Sequence, residues 1–141
     1  MRIYCTAEFR AEYIRLIGKN QYKDIEAVIK DYFIGKELQE VLSGTRLNNS
    51  DTVPFIKKRL EGKGGYRIYF LIIIKDENVY LAHIHPKTGP YGKSNIDKTY
   101  QHAILNILKN KIVNNDLFEL VYNNDNLSFE KPKSNESKVK K

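Results

Sequence analysis

A chain of 141 residues, 41% of them hydrophobic, can bury one core without staples, and no stretch approaches the roughly 20 apolar residues of a membrane span. Of the net charge of +7, +4 belongs to residues 131–141, where five lysines face Glu136, which leaves +3 for the rest. Basicity therefore does not by itself make this a nucleic-acid protein, and a single cysteine excludes an intramolecular disulfide.

The chain opens on an apolar run, Met1 to Thr6, read as a short strand with Ile3 and Cys5 on one face. Cys5 has no histidine or second cysteine beside it and reads as a small buried hydrophobe rather than a nucleophile. The N-terminus lacks the apolar region of a secretory leader, which gives an expected cytoplasmic location. Thr6 suits a helix cap, and Phe9, Tyr13, Leu16 and Ile17 recur at helical spacing until Gly18 and Asn20. A second helix carries Tyr22, Ile25, Val28, Ile29, Tyr32 and Phe33 as one apolar stripe, with Asp24 and Glu26 at the favourable end of its dipole and Gly35 after it. The pair reads as a helical hairpin covering a sheet. Glu37 to Leu42 suggests another helical turn, and Ser43 to Thr52 a loop.

From Val53 to His85 the pattern becomes a three-stranded antiparallel meander, with turns at Glu61–Gly65 and Lys75–Asn78. Side chains alternate across a strand, so the faces can be written out. Tyr66, Ile68, Phe70, Ile72 and Ile74 form the core face of the middle strand, joined by Ile56 and Leu60 before it and by Tyr80, Ala82 and Ile84 after it. The alternation sends Phe55, Lys57, Arg59, Arg67, Tyr69, Val79, Leu81, His83 and His85 to the other side. Lys57, Arg59, Arg67, His83 and His85 then converge on one open face, a grouping that suits a phosphate backbone. Lysines on an outer strand also guard against edge pairing, but an arginine in the middle of the meander has no edge to protect.

After Pro86, the segment Lys87 to Ser94 reads as an exposed loop. Its Gly89-Pro-Tyr-Gly92-Lys93-Ser94 ends like a phosphate-binding P-loop but has two residues between its glycines where that motif needs four. His83 and His85 could hold a metal only with a third ligand, and no acidic or cysteine residue lies in the same run. Neither a metal nor a cofactor is expected. A helix follows from about Ile96 to Lys111, with Ala103, Ile104, Ile107 and Leu108 facing inward. Leu117 to Tyr122 fits a strand or a short helix, and disorder is expected from about Glu130. The expected divisions are a domain over 1–113, an extension over 114–130 and a basic tail over 131–141.

The order strand, helical hairpin, basic strand, Gly-Tyr-Arg strand, third strand, lysine-containing loop and helix resembles the RelE/ParE superfamily of toxins from bacterial toxin-antitoxin systems. The resemblance covers about Ile3 to Leu108 and rests on Ile56-Lys57-Lys58-Arg59-Leu60 and Gly64-Gly65-Tyr66-Arg67-Ile68-Tyr69. It implies an α+β fold, a small antiparallel sheet made of the N-terminal strand and the meander, with the helical hairpin on one face and a C-terminal helix. RelE-like members cut messenger RNA on the ribosome without a metal. Carried over, Lys57, Arg59 and Arg67 match the basic positions of the sheet, with one extra residue in the turn. Lys87 stands where arginine is common, and Tyr100 resembles a helix tyrosine followed three residues later by alanine.

The expected catalytic set is Lys57, Arg59, Arg67, Tyr100 and His85, the last because an imidazole can serve as base or acid near neutral pH, with Lys58, His83, Lys87 and Lys93 contacting RNA. The implied partners are a cognate antitoxin, messenger RNA and the ribosome. ParE-like relatives instead inhibit DNA gyrase, and a third reading is a RelE-fold protein that only binds.

Overall fold

A computed structural model describes residues 1–93 and 96–132. Most of the predicted tail, and Ser94 of the glycine-containing loop, lie outside the described residues. Among the described residues seven strands form one mixed sheet in the order β2-β3-β4-β5-β1-β6-β7. In chain order the elements are β1 (Arg2–Cys5), α1 (Ala7–Ile17), α2 (Ile25–Phe33), α3 (Leu38–Val41), β2 (Thr45–Arg46), β3 (Phe55–Arg59), β4 (Arg67–Ile73), β5 (Asn78–His85), α4 (Lys98–Val113), β6 (Phe118–Asn123) and β7 (Asn126–Glu130). Among the described residues no helix is long and apolar enough to cross a membrane.

The sheet is neither four-stranded nor wholly antiparallel. β1 lies parallel to β5, Arg2 opposite Asn78 and Cys5 opposite Leu81, and on its other edge it pairs antiparallel with β6. A central position between two strands explains why Cys5 is fully buried, and burial pushes its thiol pKa up, away from nucleophile chemistry. β2 falls inside the predicted Ser43–Thr52 loop, where Thr45 and Arg46 pair with Lys57 and Ile56. Residues 114–130, for which the pattern favoured neither strand nor helix, supply the β6–β7 hairpin.

The first face of the sheet is the one read from β4. Ile68, Phe70 and Ile72 pack there with Phe9, Tyr13 and Leu16 of α1 and Ile25, Ile29 and Phe33 of α2. Thr6 caps α1 by accepting from the Phe9 N–H at 3.0 Å, and Gly35, at φ 72°, follows the last turn of α2. Asp24 does more than sit at a helix start, since its carboxylate accepts from the Tyr66 hydroxyl at 2.6 Å and the Lys63 N–H at 2.7 Å. α2 is thereby fastened to the β3–β4 turn. Glu26 accepts from the Leu127 N–H at 2.7 Å, which fastens the same helix to β7.

The second face is not open along its whole length. Phe55, Tyr69, Leu71, Tyr80 and Ala82 pack against Ile104, Leu108 and Leu117, so α4 builds a second core there. Ala103 and Ile107, predicted to face inward with Ile104 and Leu108, point outward instead, and Ile107 is 44% exposed.

β5 departs from simple alternation. Tyr69 pairs with His83 and Phe70 with Leu81, so Ala82 is an extra residue in a β-bulge. Val79 and Leu81 consequently belong to the first core, and Tyr80 and Ala82 to the second, the reverse of the sequence assignment. Beyond the bulge the expected assignment returns, with Ile84 in the first core.

Candidate nucleic-acid interface

Strand register assembles the site in two rows. Arg59 stands opposite Arg67, and Arg67 opposite His85; Lys57 stands opposite Tyr69, and Tyr69 opposite His83. Residues two apart on a strand share a face, so the six side chains form a grid across β3, β4 and β5. The grid is graded in depth: Arg59 is exposed, Lys57, Arg67 and His83 are half-buried, and Tyr69 and His85 are fully buried. Tyr69 is its centre, with ring centroids 5.8 Å from His83 and 5.9 Å from His85.

The loop after β5 starts at the deep end of the grid and folds back on itself and on the β3–β4 turn. Lys93 N–H returns to the Pro86 carbonyl at 2.9 Å, and Lys87 N–H reaches the Gly64 carbonyl at 2.8 Å. Tyr22, beneath the loop, donates from its hydroxyl to the Thr88 carbonyl at 2.7 Å and accepts from the Tyr91 N–H at 2.9 Å. Lys87 and Lys93 thus flank the histidines, and the charge of each acts on His85.

Burial decides the protonation of the imidazoles. The pKa of His83 is lowered to about 4, first by burial and then by His85 and Lys93, with Glu12 opposing. That of His85 is lowered by burial, opposed by its hydrogen bond to the Pro86 carbonyl, with Lys93, Arg67 and Lys87 adding to the fall. Both rings are therefore neutral at pH 7. His85 Nδ1 lies 3.0 Å from the Pro86 oxygen, an acceptor, so Nδ1 carries the proton and Nε2 keeps its lone pair. Burial raises the Tyr69 pKa, the Ile96 backbone and Arg67 opposing, and holds the phenol protonated.

Three buried polar atoms on this face have no hydrogen-bond partner among the described residues, Arg67 Nη1, His83 Nε2 and His85 Nε2, and the Tyr69 hydroxyl donates to none although the Ile96 backbone lies close to it. Buried polar groups are ordinarily paired, so such a concentration marks this face as the candidate site. The set offers the donors Arg67 and Tyr69 and one certain acceptor, His85. It suits a phosphate with an adjoining hydroxyl, and the surrounding Arg67, Lys87 and Lys93 oppose a metal cation. Among the described residues no three His, Cys, Asp or Glu side chains gather to hold a metal.

The structure places the other predicted residues less uniformly. Tyr100 sits at the start of α4, 45% exposed, its ring edge-on to His83 at 5.6 Å. Lys58 belongs to the opposite face, its ammonium 5.5 Å from the centre of the Tyr32 ring on α2, because it alternates with Lys57 and Arg59. It is not part of this interface. Tyr69 and Glu12 escaped sequence reasoning as site residues. Tyr69 could have been found from its position two residues after Arg67, whereas Glu12 comes near His83 only through the packing of α1.

No protein-family model matches the chain, and no characterised protein or solved structure matches it either.

Proposed function

We propose that this face cuts single-stranded RNA without a metal, as a RelE-like messenger-RNA endoribonuclease acting on the ribosome and serving as the toxin of a toxin-antitoxin pair. The observation that carries the reading is the Arg59–Arg67–His85 row, with Arg67 Nη1 and His85 Nε2 both lacking partners among the described residues.

In the reaction the ribose 2′-oxygen attacks the adjacent phosphorus. The 2′-O–P bond forms, the P–O5′ bond breaks, and a 2′,3′-cyclic phosphate and a 5′-hydroxyl result. His85 Nε2 takes the 2′-hydroxyl proton, which its neutral form allows. Arg59 and Arg67 bind the phosphate oxygens and stabilise the extra charge of the phosphorane. The 5′-oxygen needs a proton, and Lys57 and Tyr69, opposite each other in the register, are the donors at hand. A positioned acid or base contributes about 10²–10⁴-fold, so no single member of this set carries the whole rate. The base assigned to His85 replaces the open choice of base or acid left by the sequence.

The reading carries with it a cytoplasmic site of action and a cognate antitoxin that covers the basic face. The test is cell-free translation of a defined messenger in EDTA at a magnesium level that still supports ribosomes, with cleavage mapped by primer extension. Wild type is expected to cut, and Arg67→Ala and Lys57→Ala/Arg59→Ala to leave the messenger intact. Intact messenger with the wild-type protein would sink the nuclease, and a gyrase supercoiling assay would then test the ParE-like reading.

A further inference from the structure

A cavity of about 90 Å³ opens between the first turn of α1, β5 and α4. Ala82, Ala103 and Ile107 supply apolar wall, while Glu8 and His83 are polar members of the lining. His83 Nε2 has no hydrogen-bond partner among the described residues. Tyr100 and Ile107 border the same space and remain 45% and 44% exposed, an apolar edge left uncovered beside a cationic face.

His83 joins this cavity to the grid, since its ring is 5.8 Å from that of His85. A nucleotide whose phosphate lies on the arginine row therefore has a neighbouring base within reach of the cavity. Proteins read single-stranded RNA in this way, with bases splayed out onto aromatic rings and hydrogen-bonded along their edges. The carboxylate of Glu8 can only accept hydrogen bonds. Cytosine, adenine and guanine each present an amino group to such an acceptor, whereas uracil presents two carbonyl oxygens and a single N–H.

We propose that this cavity holds one base of the RNA strand, stacked beside Tyr100, and that Glu8 selects an amino-bearing base over uracil. The proposal rests on the RNA reading of the neighbouring face and adds a specificity determinant to it.

The test is methyl NMR of the full chain titrated with the four ribonucleoside 3′-monophosphates. The Ala82, Ala103 and Ile107 methyls are expected to shift with the adenine, cytosine and guanine nucleotides, and uridine 3′-monophosphate to bind roughly tenfold more weakly, the scale of one hydrogen bond to a charged acceptor. Glu8→Gln should erase the discrimination, and Ala103→Leu, at an exposed position that leaves the fold intact, should block all four by filling the space. Equal binding of the four nucleotides, discrimination that survives in Glu8→Gln, or methyls that do not respond would each overturn the proposal. Selective binding in a protein that leaves messenger uncut would retire the nuclease and keep the cavity. Cutting without selective binding would do the reverse.

Discussion

Arg59 and Arg67 face each other directly across β3 and β4, two guanidinium groups on the same side of adjacent strands. Like charges at directly opposed positions destabilise a sheet pair, and nothing in folding alone calls for this one. An anion lying between them would turn the repulsion into a binding contribution.

Arg59→Gln is accordingly expected to raise stability slightly, by about 0.5 kcal/mol, since opposed like charges cost amounts of that order. The same substitution should weaken RNA binding and flatten its salt dependence, because one phosphate contact is lost. Urea denaturation and RNA titration at two salt concentrations check the two halves. Loss of stability together with unchanged RNA affinity would show that Arg59 has a structural role only.

Both histidines make the protein sensitive to acid, one through the rate and the other through stability. If His85 is the base, cleavage requires its neutral form, and a pKa below the ordinary 6.5 places the acid limb of the rate profile below pH 6.5. A limb at or above that value would remove His85 from the role. His83 titrates at about 4 when folded and near 6.5 when unfolded, so below pH 6.5 the unfolded chain binds the extra proton. Stability is therefore full above pH 6.5 and falls as pH drops towards 4, by up to roughly 3 kcal/mol from this residue, one pKa unit being worth 1.36 kcal/mol. Half-exposure of the ring makes that an upper bound. Denaturation curves of wild type and His83→Phe at pH 7 and 4.5 measure it, and the variant should lose less stability between the two.

Tyr22 is fully buried with its hydroxyl bonded to both Thr88 and Tyr91, so it anchors the loop that follows His85. Tyr22→Phe should cost about 1–3 kcal/mol and raise amide exchange in that loop. Gly89→Ala should be worse, because φ is 83° there and a Cβ would stand 2.5 Å from the Tyr22 oxygen. If amide exchange in the loop is unchanged in both variants, Tyr22 is not the anchor.

A chain ended after Asn114 is expected to be insoluble. It would lose Leu117, Leu120, Leu127 and Phe129 from the cores and leave β1 as a bare edge. Full burial of a side chain such as Leu117 or Leu120 contributes about 1.5–3 kcal/mol, so these losses are a large part of a typical total stability of about 5–15 kcal/mol. A soluble, cooperatively melting product would show that the β6–β7 hairpin is an appendage rather than part of the fold.

Much of this molecule follows from local pattern. The β4 core face and the positions of Lys57, Arg59 and Arg67 come from a period of two in a long apolar strand, where a one-residue error would bury an arginine. The helices α1 and α2 follow from apolar spacing and their end signals. Other features depended on contacts between distant segments. The outward turn of Ala103 and Ile107 depended on which side of α4 met the sheet, and the β6–β7 hairpin needed β1 as its template. The bulge at Ala82 was the least legible. Strict alternation keeps Val79, Leu81, His83 and His85 on one face, and only an inserted residue lets the first two enter the core while the histidines join the arginines. Their lowered pKa values are likewise tertiary, because the burial that causes them is a property of the folded chain.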